Sequence, residues 1–238
     1  MSMATSAHPR EIQTRVQEIR RRIAAACEQA GRDPLEVTLI AVTKTVAWDD
    51  ISAAHFAGVR CFGENRVQEA AQKISPAPMP GVQWHLIGHL QTNKVKKALE
   101  LFHVIQSVDS LHLAEALQRQ AAALQRSVEI FIEVNTSGEA SKFGIPPHKT
   151  LELAQAVAAL PNLHLTGLMT IGALTDQQEQ IRGCFRRLRD LFHEINTAQI
   201  TGGELQHLSM GMTDDFELAI AEGATMVRIG RAIFGARS

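Results

Sequence analysis

The chain has 238 residues, 45% of them hydrophobic, with 24 Lys+Arg set against 25 Asp+Glu. That length gives ample core for one large α/β domain or two small ones, and a net charge of -1 offers no electrostatic case for a nucleic-acid or membrane partner. No apolar run approaches the roughly 20 residues that span a bilayer, and Met1 to Arg10 lacks the apolar stretch of a signal peptide, so a cytoplasmic location is expected.

The first element reads as a helix. Ile12, Val16, Ile19 and Ile23 recur at helical spacing, while Glu11/Arg15 and Glu18/Arg22 stand four apart on the polar side. Gly31 ends it and Pro34 blocks continuation. Short apolar runs at 37–42, 59–62, 83–87, 104–106, 128–134, 163–169, 205–209 and 226–229 then read as strands. Helical patterns fall between them near 48–57, 65–74, 92–100, 110–125, 147–159, 177–196 and 213–222. The clearest carries Ile181, Phe185, Leu188, Phe192 and Ile195 on one face, and its Arg182, Arg186, Arg187 and Arg189 read as a solvated face. Strict alternation, with strands apolar on both faces, predicts a parallel sheet covered by helices. About eight such units in this length favour closure into a (β/α)8 TIM barrel over an open doubly wound sheet. No Pro/Gly-rich linker divides the chain, so residues 10–238 are expected to form a single domain behind a flexible N-terminus, 1–9. Cys27, Cys61 and Cys184, odd in number and widely spaced, fit reduced thiols.

In such a barrel the active end is built where strands exit. The first run, Leu39-Ile40-Ala41-Val42-Thr43-Lys44, delivers a lysine there. Partial desolvation lowers a lysine's pKa and favours imine formation with an aldehyde; the plain alternative is a lysine capping the strand in water. The second and third strands exit into Phe62-Gly63-Glu64-Asn65 and His85-Leu86-Ile87-Gly88-His89. The two histidines are four apart, but Gly88 and the strand-to-loop context argue against one helix face, and no carboxylate or cysteine completes a metal set. After the fifth strand comes a polar loop, 135–144, holding Lys142, either a mobile surface loop or a substrate gate. The loops after strands seven and eight are the usual phosphate site of barrels. Asp214 and Asp215 occupy the positive end of the helix after strand seven. A phosphate is therefore expected on Gly230 and Arg231, free of nearby carboxylates, with the Ser209 hydroxyl assisting; otherwise Gly230 is a simple turn glycine.

Four stretches carry a resemblance: Ala41-Val42-Thr43-Lys44, Phe62 through Glu69, Trp84-His85-Leu86-Ile87-Gly88 with Leu90-Gln91-Thr92-Asn93-Lys94, and Leu208-Ser209-Met210-Gly211-Met212 through Phe234-Gly235. In order and spanning nearly the whole chain, they are similar to the pyridoxal phosphate homeostasis proteins, whose fold resembles the N-terminal barrel of alanine racemase (the fold-type III arrangement, with an extra N-terminal helix). The resemblance implies pyridoxal 5′-phosphate held as a Schiff base on Lys44. It implies Arg228 at the pyridine nitrogen, Ser209, Gly230 and Arg231 at the phosphate, and Asn65, Met169 and Met210 lining the pocket. His89 stands where many relatives carry proline. An arginine at the ring nitrogen keeps it unprotonated and weakens the cofactor as an electron sink. The racemase also needs a tyrosine from a second domain; this chain contains no tyrosine and its barrel runs to Ser238. The expectation is therefore a monomeric protein that buffers or delivers the cofactor, with PLP-dependent apo-enzymes as its partners. A PLP-dependent amino-acid racemase and a cofactor-free Schiff-base aldolase are the competing readings.

Overall fold

The computed structural model describes residues 9–74, 79–201 and 203–235. Eight parallel strands, β1 (Thr38–Val42), β2 (Cys61–Glu64), β3 (Gln83–Leu86), β4 (Val104–Val108), β5 (Val128–Glu133), β6 (Leu163–Met169), β7 (His207–Ser209) and β8 (Met226–Ile229), pair in chain order. β8 returns to β1 with Ile40 opposite Arg228, which closes the barrel. Each crossover carries a helix: α2 (Trp48–Phe56), α3 (Val67–Ile74), α4 (Val95–Leu101), α5 (Leu111–Ala123), α6 (Thr150–Ala158), α7 (Gln178–Thr197) and α8 (Phe216–Ala221). An N-terminal helix, α1 (Pro9–Gln29), packs beside α2, α8 and a final short helix, α9 (Arg231–Phe234). Of the segment 1–9 expected to be flexible, residues 1–8 lie outside the described residues, and Pro9 opens α1.

Side-chain alternation along the strands separates two cores. Ile40, Val104, Phe131, Met169 and Met226 fill the barrel interior as one apolar plug. Their neighbours of opposite parity, among them Ala41, Phe62, Trp84, Leu86, Ile105, Ile130, Leu168, Val227 and Ile229, pack outward against the helices. The plug is a floor, and the polar residues of the same parity lie further along the strands. Arg228, for example, follows Met226 by two.

Several expected surface pairs are redistributed. Glu11 does meet Arg15, but Glu18 takes Arg21, one residue earlier than predicted. Arg22 instead crosses to Glu217 of α8 and covers the Phe216 ring, its guanidinium carbon 4.6 Å from the centroid. The arginines of α7 are also engaged. Arg182 and Arg189 share Glu222, Arg186 meets Glu179, and Arg187 donates to the Thr136 carbonyl at 2.8 Å. All three cysteines are free thiols.

Candidate functional site

The C-terminal ends of the strands bring together most of the residues expected from the sequence. Lys44 follows β1 by two residues and is half-buried. Asn65 leaves β2, and its Oδ1 is buried without a hydrogen-bond partner. Gly88 lies against it so closely that an added Cβ would stand 2.3 Å from the Asn65 carbonyl oxygen, so only glycine lets these two exits touch. Met169 ends β6 and Met210 follows β7, both fully buried. Gly230 precedes the first residue of α9 and no side chain caps that helix. Among the described residues, the backbone N–H groups of Gly230, Arg231 and Ala232 have no acceptor. The position of a Cβ on Gly230 is 3.3 Å from Val42 of β1, so this uncapped turn adjoins the strand that leads to Lys44.

Beneath the mouth runs a buried polar chain. Arg228 donates from Nη1 to Ser209 Oγ and from Nη2 to the Thr170 carbonyl, each at 2.7 Å. Ser209 Oγ in turn donates to Gln106 Oε1 at 2.7 Å, and the Gln106 amide meets His85 Nδ1 at 3.0 Å. The amide nitrogen is a donor, so Nδ1 accepts and the proton sits on Nε2, which has no partner. Burial lowers His85 to about 3, with His103 and His207 adding to the shift, so the ring is neutral. Burial also lowers Arg228 to about 10 against the pull of Asp215 and Glu133, which leaves it charged at neutral pH.

The Ser209 hydroxyl, expected beside a phosphate, is fully buried and hydrogen-bonded to Arg228 and Gln106. One expectation needs correction. The turn at Gly230, expected to be free of carboxylates, receives Asp214, whose Oδ2 lies 2.5 Å from Arg231 Nη2. What Arg231 can offer a phosphate from an unengaged position is its backbone N–H. Lys142, the other lysine of interest, donates from Nζ to Glu139 at 2.6 Å and to the Gly172 carbonyl at 2.8 Å. Its loop is pinned by Asn135, which accepts from the Gly138 N–H and donates to the carbonyls of Glu139 and Lys142. Phe143 at the end of that loop stacks on His89, ring centroids 4.1 Å apart, and His89 Nδ1 lies 3.4 Å from Asp109.

Gln106, Thr170 and Glu133 belong to the site and were not singled out from the sequence. Gln106 and Glu133 had one usable signal: each stands two positions beyond an inward-facing apolar residue, Val104 and Phe131, and so shares its parity. Burial raises Glu133 to about 7, with Asp109 adding and Arg228 opposing. The folded state thus holds a proton on Glu133 that the unfolded chain releases near the ordinary value of 4.5, and stability falls as pH rises through that window. His85 acts oppositely. Its proton is bound in the unfolded chain up to the ordinary value of 6.5 but is absent from the folded state above about 3, so stability rises with pH. The two slopes offset each other over the shared interval. E133Q should expose the His85 slope, so that urea-unfolding stability of the cofactor-free protein climbs more steeply between about pH 5 and 6.5 than in wild type. Parallel curves would contradict this assignment.

The closed parallel barrel and the contents of its mouth define a racemase-type (β/α)8 protein. The chain matches the family described as alanine racemase, N-terminal domain, over residues 14–238. The pyridoxal phosphate homeostasis protein of Pseudomonas aeruginosa is 44% identical over 222 residues, covering 93% of this chain and 94% of that one. The chain belongs to the alanine racemase N-terminal-domain family and, within it, to the pyridoxal phosphate homeostasis proteins. Among solved structures, a protein of Bifidobacterium adolescentis superimposes with a TM-score of 0.90 at 42% identity, covering 98% of this chain and 100% of that one. PipY of Synechococcus elongatus, solved with PLP bound, gives a TM-score of 0.79 at 37% identity, over 91% of this chain and 100% of that one.

Proposed function

We propose that this chain, through residues 10–238 acting as one domain, holds pyridoxal 5′-phosphate covalently on Lys44 and serves its homeostasis by buffering or delivering it. The observation that carries the reading is the adjacency of the β1 exit, with its lysine, to the uncapped first turn of α9 after β8. An amine for an aldehyde and unpaired N–H donors for a phosphate dianion at one barrel rim fit this cofactor. The names of the relatives and the PLP bound to PipY support the same reading. Bound there, the cofactor supplies an aldehyde carbon that condenses with an amine, forming a C=N bond and releasing water.

The protein's residues divide the remaining work. Lys44 supplies the resident amine, and the N–H groups of Gly230 and Arg231 bind phosphate. Asn65, Met169 and Met210 line the ring, and the Ser209 hydroxyl fixes Arg228 from below. Arg228, still charged at neutral pH, holds the pyridine nitrogen unprotonated and limits the negative charge the ring accepts. If the N–H groups carry the phosphate, Gly230→Pro should weaken cofactor retention more than Arg231→Ala, since proline deletes a donor while the Arg231 guanidinium is already taken by Asp214. Fluorescence titration of both folded variants reads this, and equal wild-type and proline affinities would remove the phosphate from that turn.

The reading excludes efficient racemisation. Proton removal on one face and delivery on the other need two placed groups, each contributing about 10²–10⁴-fold. The sequence has no tyrosine, and the Lys142 ammonium is tied to Glu139 and Gly172. L-alanine and D-alanine in deuterated buffer are expected to change the visible spectrum without catalytic exchange of the α-proton. Exchange with inversion at turnover would establish an amino-acid racemase instead. Among the described residues no helix is long and apolar enough to cross a membrane. The reading takes the protein as a cytoplasmic monomer that passes its cofactor to PLP-dependent apo-enzymes.

A further inference from the structure

The turn that presents Lys44 is gripped from both sides by one partly buried cluster of charges. On its N-terminal side, fully buried Thr43 donates from Oγ1 to Glu64 Oε1 at 2.6 Å, while its carbonyl accepts from Lys73 Nζ at 2.6 Å. On its C-terminal side, the Thr45 N–H donates to Glu69 Oε1. Lys73 Nζ ties the two halves together, at 2.9 Å from Glu64 Oε1 and 2.7 Å from Glu69 Oε1. Glu64 ends β2, whereas Glu69 and Lys73 stand one turn apart on α3, so a neighbouring βα unit holds the β1 exit through a single ammonium.

The grip has a conformational consequence. Thr45 sits at φ 62, in the left-handed region that a β-branched residue disfavours. Such a conformation persists only where its surroundings over-determine it, and here its N–H is fixed by Glu69, itself fixed by Lys73. The inner half of the cluster is out of water: Lys73 is 13% exposed and Glu64 fully buried, while Glu69 is 25% exposed. Burial pushes the Glu64 carboxyl upward, while the Thr43 and Lys73 hydrogen bonds oppose the shift. A surface ion pair would need none of this.

We propose that Lys73, bridging Glu64 and Glu69 beneath Thr43 and Thr45, is the positioning residue that fixes the strained turn delivering Lys44 to the barrel mouth. The inference rests on Lys44 being the attachment point. Its test uses the full chain loaded with pyridoxal phosphate at one equivalent, trapped with borohydride and mapped by peptide mass. The pH midpoint of the visible band and the melting temperature are recorded on the same samples. Lys73→Met is expected to lower the fraction trapped on Lys44 by about tenfold, the size of one lost charge-assisted tether, and to shift the pH midpoint. Lys73→Arg, which keeps the charge and several donors, should restore most of both. Lys73→Met that melts lower yet traps on Lys44 as wild type does, with an unchanged midpoint, would reduce the cluster to fold stability and overturn the proposal. If Lys73→Met does not fold, Glu69→Gln decides, because it weakens the Lys73 contact at a residue on the cluster's more exposed side. A fall in Lys44 trapping supports the proposal, and a wild-type fraction overturns it. Wild-type protein labelled elsewhere than Lys44 would be a failure of the attachment reading itself, visible before any variant is made.

Discussion

Lys44→Ala is expected to abolish covalent retention of pyridoxal phosphate while leaving the barrel folded. The side chain is half-buried beyond the end of β1 and outside the apolar plug of Ile40, Val104, Phe131, Met169 and Met226, so its truncation opens no core cavity. What remains for the cofactor is the α9 turn and the ring contacts. Two or three hydrogen bonds to a dianion, at roughly 1.5–3 kcal/mol each, leave an affinity in about the micromolar-to-millimolar range. Wild-type protein should therefore keep its visible band through exhaustive dialysis and the variant should lose it. A variant that retains the band would place the covalent bond on another lysine.

Arg228→Met should produce the largest loss of stability of any single change at the site. Arg228 is 4% exposed and is the positive charge that Glu133 and Asp215 feel across the barrel interior. Its two hydrogen bonds satisfy Ser209 Oγ and the Thr170 carbonyl. Methionine fills much of the volume but strands those acceptors and removes the counter-charge from two buried carboxyls. Breaking a buried charge arrangement by removing one member costs about 3–5 kcal/mol, which for a chain of this size is on the order of 10 °C in melting temperature. Arg228→Lys keeps the charge but cannot span both partners with a planar fork, so it should recover only part of the loss. Calorimetry on cofactor-free protein separates this from any effect on binding, and a methionine variant melting within about 2 °C of wild type, well under what 3 kcal/mol would produce, would mean that the buried chain is not held by Arg228.

How far the sequence disclosed this arrangement depended on whether each feature was local. β6 and β8 coincide with their apolar runs, Leu163–Met169 and Met226–Ile229, because no polar side chain continues either run as strand. β2 was displaced: the apolar signal centres on Val59 and Phe62, but the strand runs from Cys61 to Glu64. A charged residue at a fully buried strand end reads as loop until Thr43 and Lys73, distant in sequence, are seen to satisfy it. β4 likewise extends past Gln106 through Ser107 to Val108, and Gln106 is satisfied inside the barrel by His85 and Ser209, both distant in sequence. Helix α9 has four residues and thus no periodicity to detect. Lysine at the exit of the first strand was legible because it needs only the end of an apolar run. The reassignment of Arg22 to Glu217 and the arrival of Asp214 at Arg231 were not, since the first joins segments that barrel closure brings together and the second the loops after paired strands β7 and β8.

The attachment point of the cofactor is what distinguishes a Lys44-held ligand from every other arrangement of this barrel mouth. Wild-type protein as purified, reduced with borohydride, digested and mapped by mass spectrometry, is predicted to carry a pyridoxyl group on the peptide containing Lys44 and to lose its visible band on reduction. A pyridoxyl group found mainly on Lys142 or Lys94, or no labelled peptide from protein that shows the band, would contradict it.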